Sequence, residues 1–235
     1  MAIKAVGFDL FGTLIRATAD GNVCLRGIYD CLNRNGVDAT YEIFVETYRA
    51  IRMRQRQTSQ AEHREVTNSE TVCETARLLG HDLQPTSPTV RDAVRAYFRP
   101  WELRLMDGAS STLEALRPVV KLGLVSNFTD VYFVEEALES LGIHGFFDSI
   151  IVSAGCGWRK PSPRIFQILF SDLGVKPEEC IFIGDEVESD IKGAKSAGML
   201  AALVSSEATA SDSVTGANFV IGSLEDIVPI VRRLT

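Results

Sequence analysis

Hydrophobic and polar positions fall into two textures along this chain. At the start, Ala5, Val6 and Phe8 form a short apolar run that stops at Asp9, and Gly12 and Thr13 turn the chain just beyond it. From residue 103 onward, brief apolar runs alternate with longer stretches of helical period. The runs at 119–127 (VVKLGLVSN), 146–155 (FFDSIIVSAG), 180–186 (CIFIGDE) and 200–206 (LAALVSS) predict strands. The stretches at 129–141, 162–174 and 189–197 predict helices, with Thr129 and Ser162 as N-caps and Pro163 at the first helical position. Gly142 and Gly174 suit helix ends. A last short strand at 219–222 and a last helix at 223–233 complete the pattern. Such alternation predicts an α/β fold, a parallel sheet with helices on both faces.

Residues 17–100 read differently. Helical periods at 23–35, 40–56, 65–79 and 89–99 follow one another with no strand between them, broken at RNGV, GHDLQPTSP and FRPW. The expectation is a core made of 1–16 and 101–235, with a helical insert at 17–100.

Composition narrows the class. The chain has 235 residues, 46% of them hydrophobic, enough for a sizeable core. A net charge of −7 argues against nucleic-acid or anionic-membrane surfaces, although a local basic patch still suits a small anionic ligand. The five cysteines include no CxxC pair, which predicts free thiols in a reducing setting. His63, His81 and His144 share no ligand spacing, so zinc has no support. No targeting pattern and no run of about 18 apolar residues stands out, and a soluble cytoplasmic protein is expected.

The chemistry sits at predicted strand ends, where ligands of parallel sheets bind. Asp9 ends the first strand. Ser126 and Asn127 end the next, just before a helix N-terminus, where anions are favoured. Lys160 lies in the loop ahead of Ser162 and Pro163, and Asp185, Glu186 and Asp190 cluster after the following strand. One polar residue at a strand end is ordinary loop chemistry; four successive ends make a constellation. An ionised, positioned carboxylate is a covalent nucleophile. Asp9 and Asp185 are placed to share a hard cation such as Mg2+. Lys160 would offset charge, Ser126 and Asn127 would bind the transferring group, and Thr13 would orient Asp9 or contact substrate. Phosphoryl transfer needs little beyond such positioning and neutralisation.

FDLFGTL, VSN, KPSPRIF and GDEVESDIKGAKSAGM resemble, in order, the four signature motifs of the haloacid dehalogenase (HAD) superfamily. The resemblance implies a Rossmann-like core, a small helical cap at 17–100 with hinges near 16–18 and 99–103, a nucleophilic Asp9 and phosphate-ester hydrolysis with Mg2+. It also implies that the backbone carbonyl of Phe11 joins Asp9 and Asp185 as a metal ligand. Family phosphatases carry a second aspartate where this chain has Phe11. Losing that acid–base group costs roughly 10²–10⁴ in rate, so substrates with good leaving groups, such as acyl or aryl phosphates, are expected. Haloacid dehalogenases also lack the second aspartate, but they use no metal and typically have serine at the Asp185 position. Three readings follow: a Mg2+-dependent phosphohydrolase of small phosphorylated metabolites, a metal-independent 2-haloacid dehalogenase, or a phosphate-binding protein without turnover.

The remaining candidates each have two readings. Arg16, where core passes into insert, reads as a substrate contact. Arg49, Arg52 and Arg56 share a helix face that is either solvated or lines the mouth of the site. Glu186 reads as a metal ligand, direct or through water, or as a turn residue. Asp190 supports Lys160 or the water shell, or stabilises the next helix as a first-turn acid.

Overall fold

The computed structural model describes residues 2–205 and 216–235. Its core is a six-stranded parallel sheet of β1 (Ala5–Phe8), β4 (Lys121–Ser126), β5 (Ser149–Val152), β6 (Cys180–Gly184), β7 (Leu200–Val204) and β8 (Phe219–Ile221), in the order β5-β4-β1-β6-β7-β8. β1 lies at the centre, paired with β4 through Ala5–Lys121 and with β6 through Ala5–Cys180. All four of its residues are fully buried. A central parallel strand is covered on both faces, which is why AVGF reads as an unbroken apolar run.

Helices close both faces. α5 (Ala109–Leu116), α6 (Val131–Ser140) and α10 (Ile227–Leu234) bring Leu113, Leu116, Val134, Leu138, Ile227 and Val231 onto one side. α8 (Pro163–Leu173) and the short α9 (Lys192–Ser196) bring Ile165, Phe166, Leu169, Leu173 and Ala194 onto the other. Each such Leu, Ile, Val or Phe side chain contributes about 1.5–3 kcal/mol on burial. A further short helix, α7 (Ser153–Cys156), follows β5 directly.

Between the first strand and the rest stand α1 (Gly21–Arg34), α2 (Tyr41–Glu62), α3 (Asn68–Leu78) and α4 (Pro88–Phe98). Each begins at a capping side chain, Asp20, Thr40, Thr67 and Ser87, that accepts a hydrogen bond from a first-turn amide. Ile28, Leu32, Phe44, Tyr48, Val72, Val90 and Val94 form an apolar core of their own. Among the described residues no helix is long and apolar enough to cross a membrane.

The structure departs from the expected elements in places. β2 (Ile15–Thr18) and β3 (Glu102–Leu105) pair antiparallel, Ile15 opposite Leu105, as a ribbon where the chain enters and leaves the insert. Neither strand was expected, because each is four residues long with mixed polarity. α5 was also unexpected. The N-cap of α6 is Asp130 rather than Thr129, since the Asp130 carboxylate accepts from the Phe133 amide at 2.7 Å. The run at 146–155 holds a strand only over Ser149–Val152, and the helix expected at 189–197 is a wide π-turn at Val187–Ile191 followed by α9. α2 continues to Glu62, six residues past the expected end. The strand expected at 200–206 ends at Val204, and Ser206 lies outside the described residues.

Candidate active site

The sheet delivers three carboxylates and one ammonium to a single crevice. Asp9 is one residue past β1, where its amide donates to the Ile183 carbonyl at 2.9 Å and so stays in register with the end of β6. Asp185 follows β6 directly. The π-turn after it folds back and buries Asp190, whose carboxylate accepts from the Glu186 amide at 3.0 Å. A ligand oxygen from each of Asp9, Asp185 and Asp190 lies within 4.8 Å of the others.

Lys160 reaches this group from the loop after α7. Its Nζ donates to Asp9 Oδ1 at 2.6 Å and lies 2.7 Å from Asp190 Oδ1. Its backbone is clamped by Asn127, since the Lys160 amide donates to Asn127 Oδ1 at 2.7 Å and Asn127 Nδ2 donates to the Lys160 carbonyl at 2.9 Å. Asn127, expected at the substrate, thus has both ends of its amide engaged with Lys160. Ser126, at the end of β4, is 1% exposed. Thr13 donates to Asp185 Oδ1 at 3.0 Å, so it orients Asp185 rather than Asp9.

Two glycines permit the close approach. Gly12 has φ +94°, and a Cβ there would sit 2.3 Å from Asp185 Oδ2. A Cβ on Gly184 would sit 2.3 Å from Asp190 Oδ2. The G in GTL and the G in GDE are therefore spaces into which carboxylates fit.

The electrostatics follow from burial and crowding. Desolvation pushes the Asp9 carboxyl up to about 7; Lys160 opposes this, while Asp190 and Asp185 add to it. Desolvation also raises Asp185, with Asp190 adding and the Thr13 hydroxyl opposing. For Lys160, burial acts to lower the pKa, but Asp9 and Asp190 outweigh it and hold the ammonium above its ordinary range. Three carboxylates facing one ammonium call for further positive charge. Among the described residues nothing donates to the Phe11 carbonyl. This oxygen-only donor set fits a hard divalent cation such as Mg2+.

Beside this charge lies an aromatic wall. The Phe11 ring stacks on Phe128, with centroids 4.5 Å apart and planes 16° apart, and meets the edge of Trp101 at 6.3 Å. Phe133 and Phe98 extend the stack. Sequence reasoning singled out Phe11 but not its neighbours, although Phe128 directly follows Asn127.

Other expected residues lie apart. Arg16 is exposed on β2 opposite Arg104, and among the described residues its side chain makes no hydrogen bond or ion pair. Arg49 donates to Asn22, whereas Arg52 is half-buried against a recess of the insert that Tyr48 and Tyr97 also line. Glu186 is exposed and accepts from Ser189 at 2.6 Å, within its own turn. Burial raises the Cys156 thiol, the reverse of activation.

The sequence matches the haloacid dehalogenase-like hydrolase family over residues 3–198. The chain belongs to that family. It is 33% identical over 158 residues to haloacid dehalogenase-like hydrolase domain-containing protein 3 of Bos taurus, covering 65% of this chain and 62% of the relative. It is 39% identical over 111 residues to glyceraldehyde 3-phosphate phosphatase of Methanothermobacter thermautotrophicus, covering 47% of this chain and 49% of the relative. The chain thus spans less than two thirds of the length of these curated relatives. Its fold resembles the crystal structure of 2-haloacid dehalogenase from Pseudomonas syringae, with TM-score 0.73, 21% identity and coverage of 99% and 100% of the two chains. That likeness establishes this HAD-like hydrolase's fold.

Proposed function

We propose that this HAD-like hydrolase is a Mg2+-dependent phosphohydrolase that works through an aspartyl-phosphate on Asp9 and acts on a small phosphorylated metabolite. The observation that carries the reading is the convergence of Asp9, Asp185 and Asp190, of which Asp9 and Asp190 share one ammonium, an arrangement that is electrostatically incomplete without a cation. The relative named as a glyceraldehyde 3-phosphate phosphatase supports a small phosphate ester as substrate.

Each residue then has a task. A carboxylate oxygen of Asp9 attacks phosphorus, the bond to the leaving oxygen breaks with its electron pair, and water later cleaves the acyl phosphate to restore Asp9. Lys160 holds Asp9 and offsets charge on the transferring group, with Asn127 and Asp190 fixing its backbone and ammonium. The Ser126 hydroxyl donates to a phosphoryl oxygen. Asp9, Asp185 and the Phe11 carbonyl would hold Mg2+, which when bound supplies the charge neutralisation that phosphoryl transfer requires. Residues 17–100 act as the cap that excludes water.

The Phe11 ring packs against Phe128 and Trp101, none of which exchanges protons with a leaving oxygen. Substrates whose leaving groups depart as stable anions are favoured for this reason. The same ring also suits a dehalogenase, whose halide leaves without a proton, but an uncompensated Asp185 beside Asp9 would then weaken the nucleophile. The deciding assay measures phosphate release from p-nitrophenyl phosphate and halide release from 2-chloropropionate, each with Mg2+ and with EDTA. Mg2+-dependent phosphate release is expected. Halide release that persists in EDTA would overturn the reading.

A further inference from the structure

Away from the Asp9 group, one carboxylate from the helical insert is buried in the core. Glu65 follows α2, and its side chain is only 3% exposed. Its Oε2 accepts from Ser153 Oγ at 2.6 Å, while Oε1 accepts from the Val66 amide at 3.0 Å and lies 3.5 Å from Arg159 Nη1. Burying a carboxylate is costly unless it is fully hydrogen-bonded, and here each oxygen has a partner.

Both core partners lead to the catalytic loops. Ser153 Oγ accepts from the Phe128 amide at 2.9 Å, and Phe128 directly follows the Asn127 that clamps Lys160. Arg159 directly precedes Lys160, and its Nη1 also donates to Ser59 of α2 at 3.0 Å. The backbones join as well, since the Glu65 amide donates to the Gly157 carbonyl at 3.1 Å, and the Arg159 amide to the His63 carbonyl at 3.0 Å. His63 adopts φ +51°, a left-handed conformation that costs a non-glycine residue roughly 1–2 kcal/mol. The surrounding contacts hold that turn in place, with the His63 carbonyl accepting from Arg159.

We propose that Glu65 is a positioning residue for the Asp9 site: its buried carboxylate, donated by the insert, ties the loop of Asn127–Phe128 to the loop of Arg159–Lys160. Seating of the insert on the core thus braces the loop that carries Lys160, beyond the clamp Asn127 supplies, so closure over a substrate and the final placement of the ammonium are linked. This rests on the phosphohydrolase reading for its kinetic consequence, but the tie between the loops does not.

The test uses the full chain with Glu65→Ala, Glu65→Gln and Ser153→Ala, the last cutting the same bond from the core side. Amide hydrogen exchange by mass spectrometry, without substrate, is expected to quicken in Glu65→Ala and Ser153→Ala at peptides covering 127–130 and 156–160, with the central strands unchanged. On p-nitrophenyl phosphate with Mg2+, Glu65→Ala should lower kcat about 10- to 100-fold, the scale of a misplaced catalytic group. Glu65→Gln can donate its amide to Ser153 while that hydroxyl turns its proton to the Phe128 carbonyl, so kcat should stay within about threefold of wild type, the worth of a modest hydrogen-bond change. Unchanged exchange at 156–160, exchange that rises uniformly through the chain, or unchanged kcat in Glu65→Ala overturns the proposal. A wild-type protein that turns over no phosphate ester while the exchange change stays local would overturn the phosphohydrolase reading and leave the tie standing.

Discussion

Two residues apart in the first motif, Asp9 and Phe11 enter opposite environments. Asp9 sits in a nest of charge, held by Lys160 and crowded by Asp185 and Asp190. Phe11 sits in a stack of rings that runs through Phe128 to Phe133 and Phe98. On the proposed reading, the charged side attacks and stabilises a phosphoryl group. The aromatic side offers nothing that donates a proton. If the proposed reading holds, nucleophilic power and leaving-group assistance are separable in this fold, carried by neighbouring positions on different surfaces.

The largest break in the comparison comes from the charged side. Asp9→Asn should reduce phosphatase turnover by about 10³-fold or more, since no other carboxylate takes its place at the end of β1; single-turnover phosphate release measures this. Lys160→Met should be nearly as damaging to activity and also destabilise the fold by roughly 3–5 kcal/mol, because it strands two buried carboxylates; urea unfolding monitored by circular dichroism checks that figure.

The aromatic side is probed by leaving groups. The ratio of kcat/KM for p-nitrophenyl phosphate over an alkyl phosphate should exceed that of an enzyme with a positioned acid by roughly 10²-fold, the low end of what general acid catalysis supplies. Phe11→Asp should narrow the ratio. An unchanged ratio in that variant would show that the ring stack does not determine selectivity.

A smaller effect concerns pH. An acid whose folded pKa, about 7, lies above its ordinary 3.8 binds its proton more tightly in the folded state. Its stabilising contribution is therefore complete below pH 3.8 and is lost as pH climbs towards 7. In EDTA, the melting temperature of wild type should fall relative to Asp9→Asn across that interval. Added Mg2+ should recover part of the difference at neutral pH in wild type alone. The smallest expected change is Thr13→Val, which removes the hydroxyl that orients Asp185 and should weaken activation by Mg2+ severalfold, within the roughly 0.5–1.5 kcal/mol of one hydrogen bond.

Much of the sheet and its charged crevice was legible in the sequence because parallel strands are continuous apolar runs and their ends collect polar residues. Asp9, Lys160 and Asp185 each stand at such a place. What escaped depended on distant partners. The β2–β3 ribbon joins strands more than eighty residues apart in sequence, each too short for a clear alternation. The engagement of Asn127 with the Lys160 backbone shows only when the two loops meet in space. Glu65 reads in the sequence as an ordinary polar first residue of the helix expected at 65–79, and nothing in REVTNSE marks it as buried against Ser153. The aromatic wall was half visible, since Phe11 broke an expected pattern while Trp101 and Phe128 carried no such mark.

The chain's two tryptophans fall on two different edges of the helical insert. Trp101 abuts Phe11 and Phe128 just before β3, whereas the Trp158 indole lies between the guanidinium groups of Arg64, from the insert, and Arg164, from the core. The protein therefore carries an intrinsic emitter at each edge. Single Trp→Phe variants would let fluorescence report separately on the Phe11–Phe128 stack and on the packing of Arg64 and Arg164 against Trp158, without any attached dye.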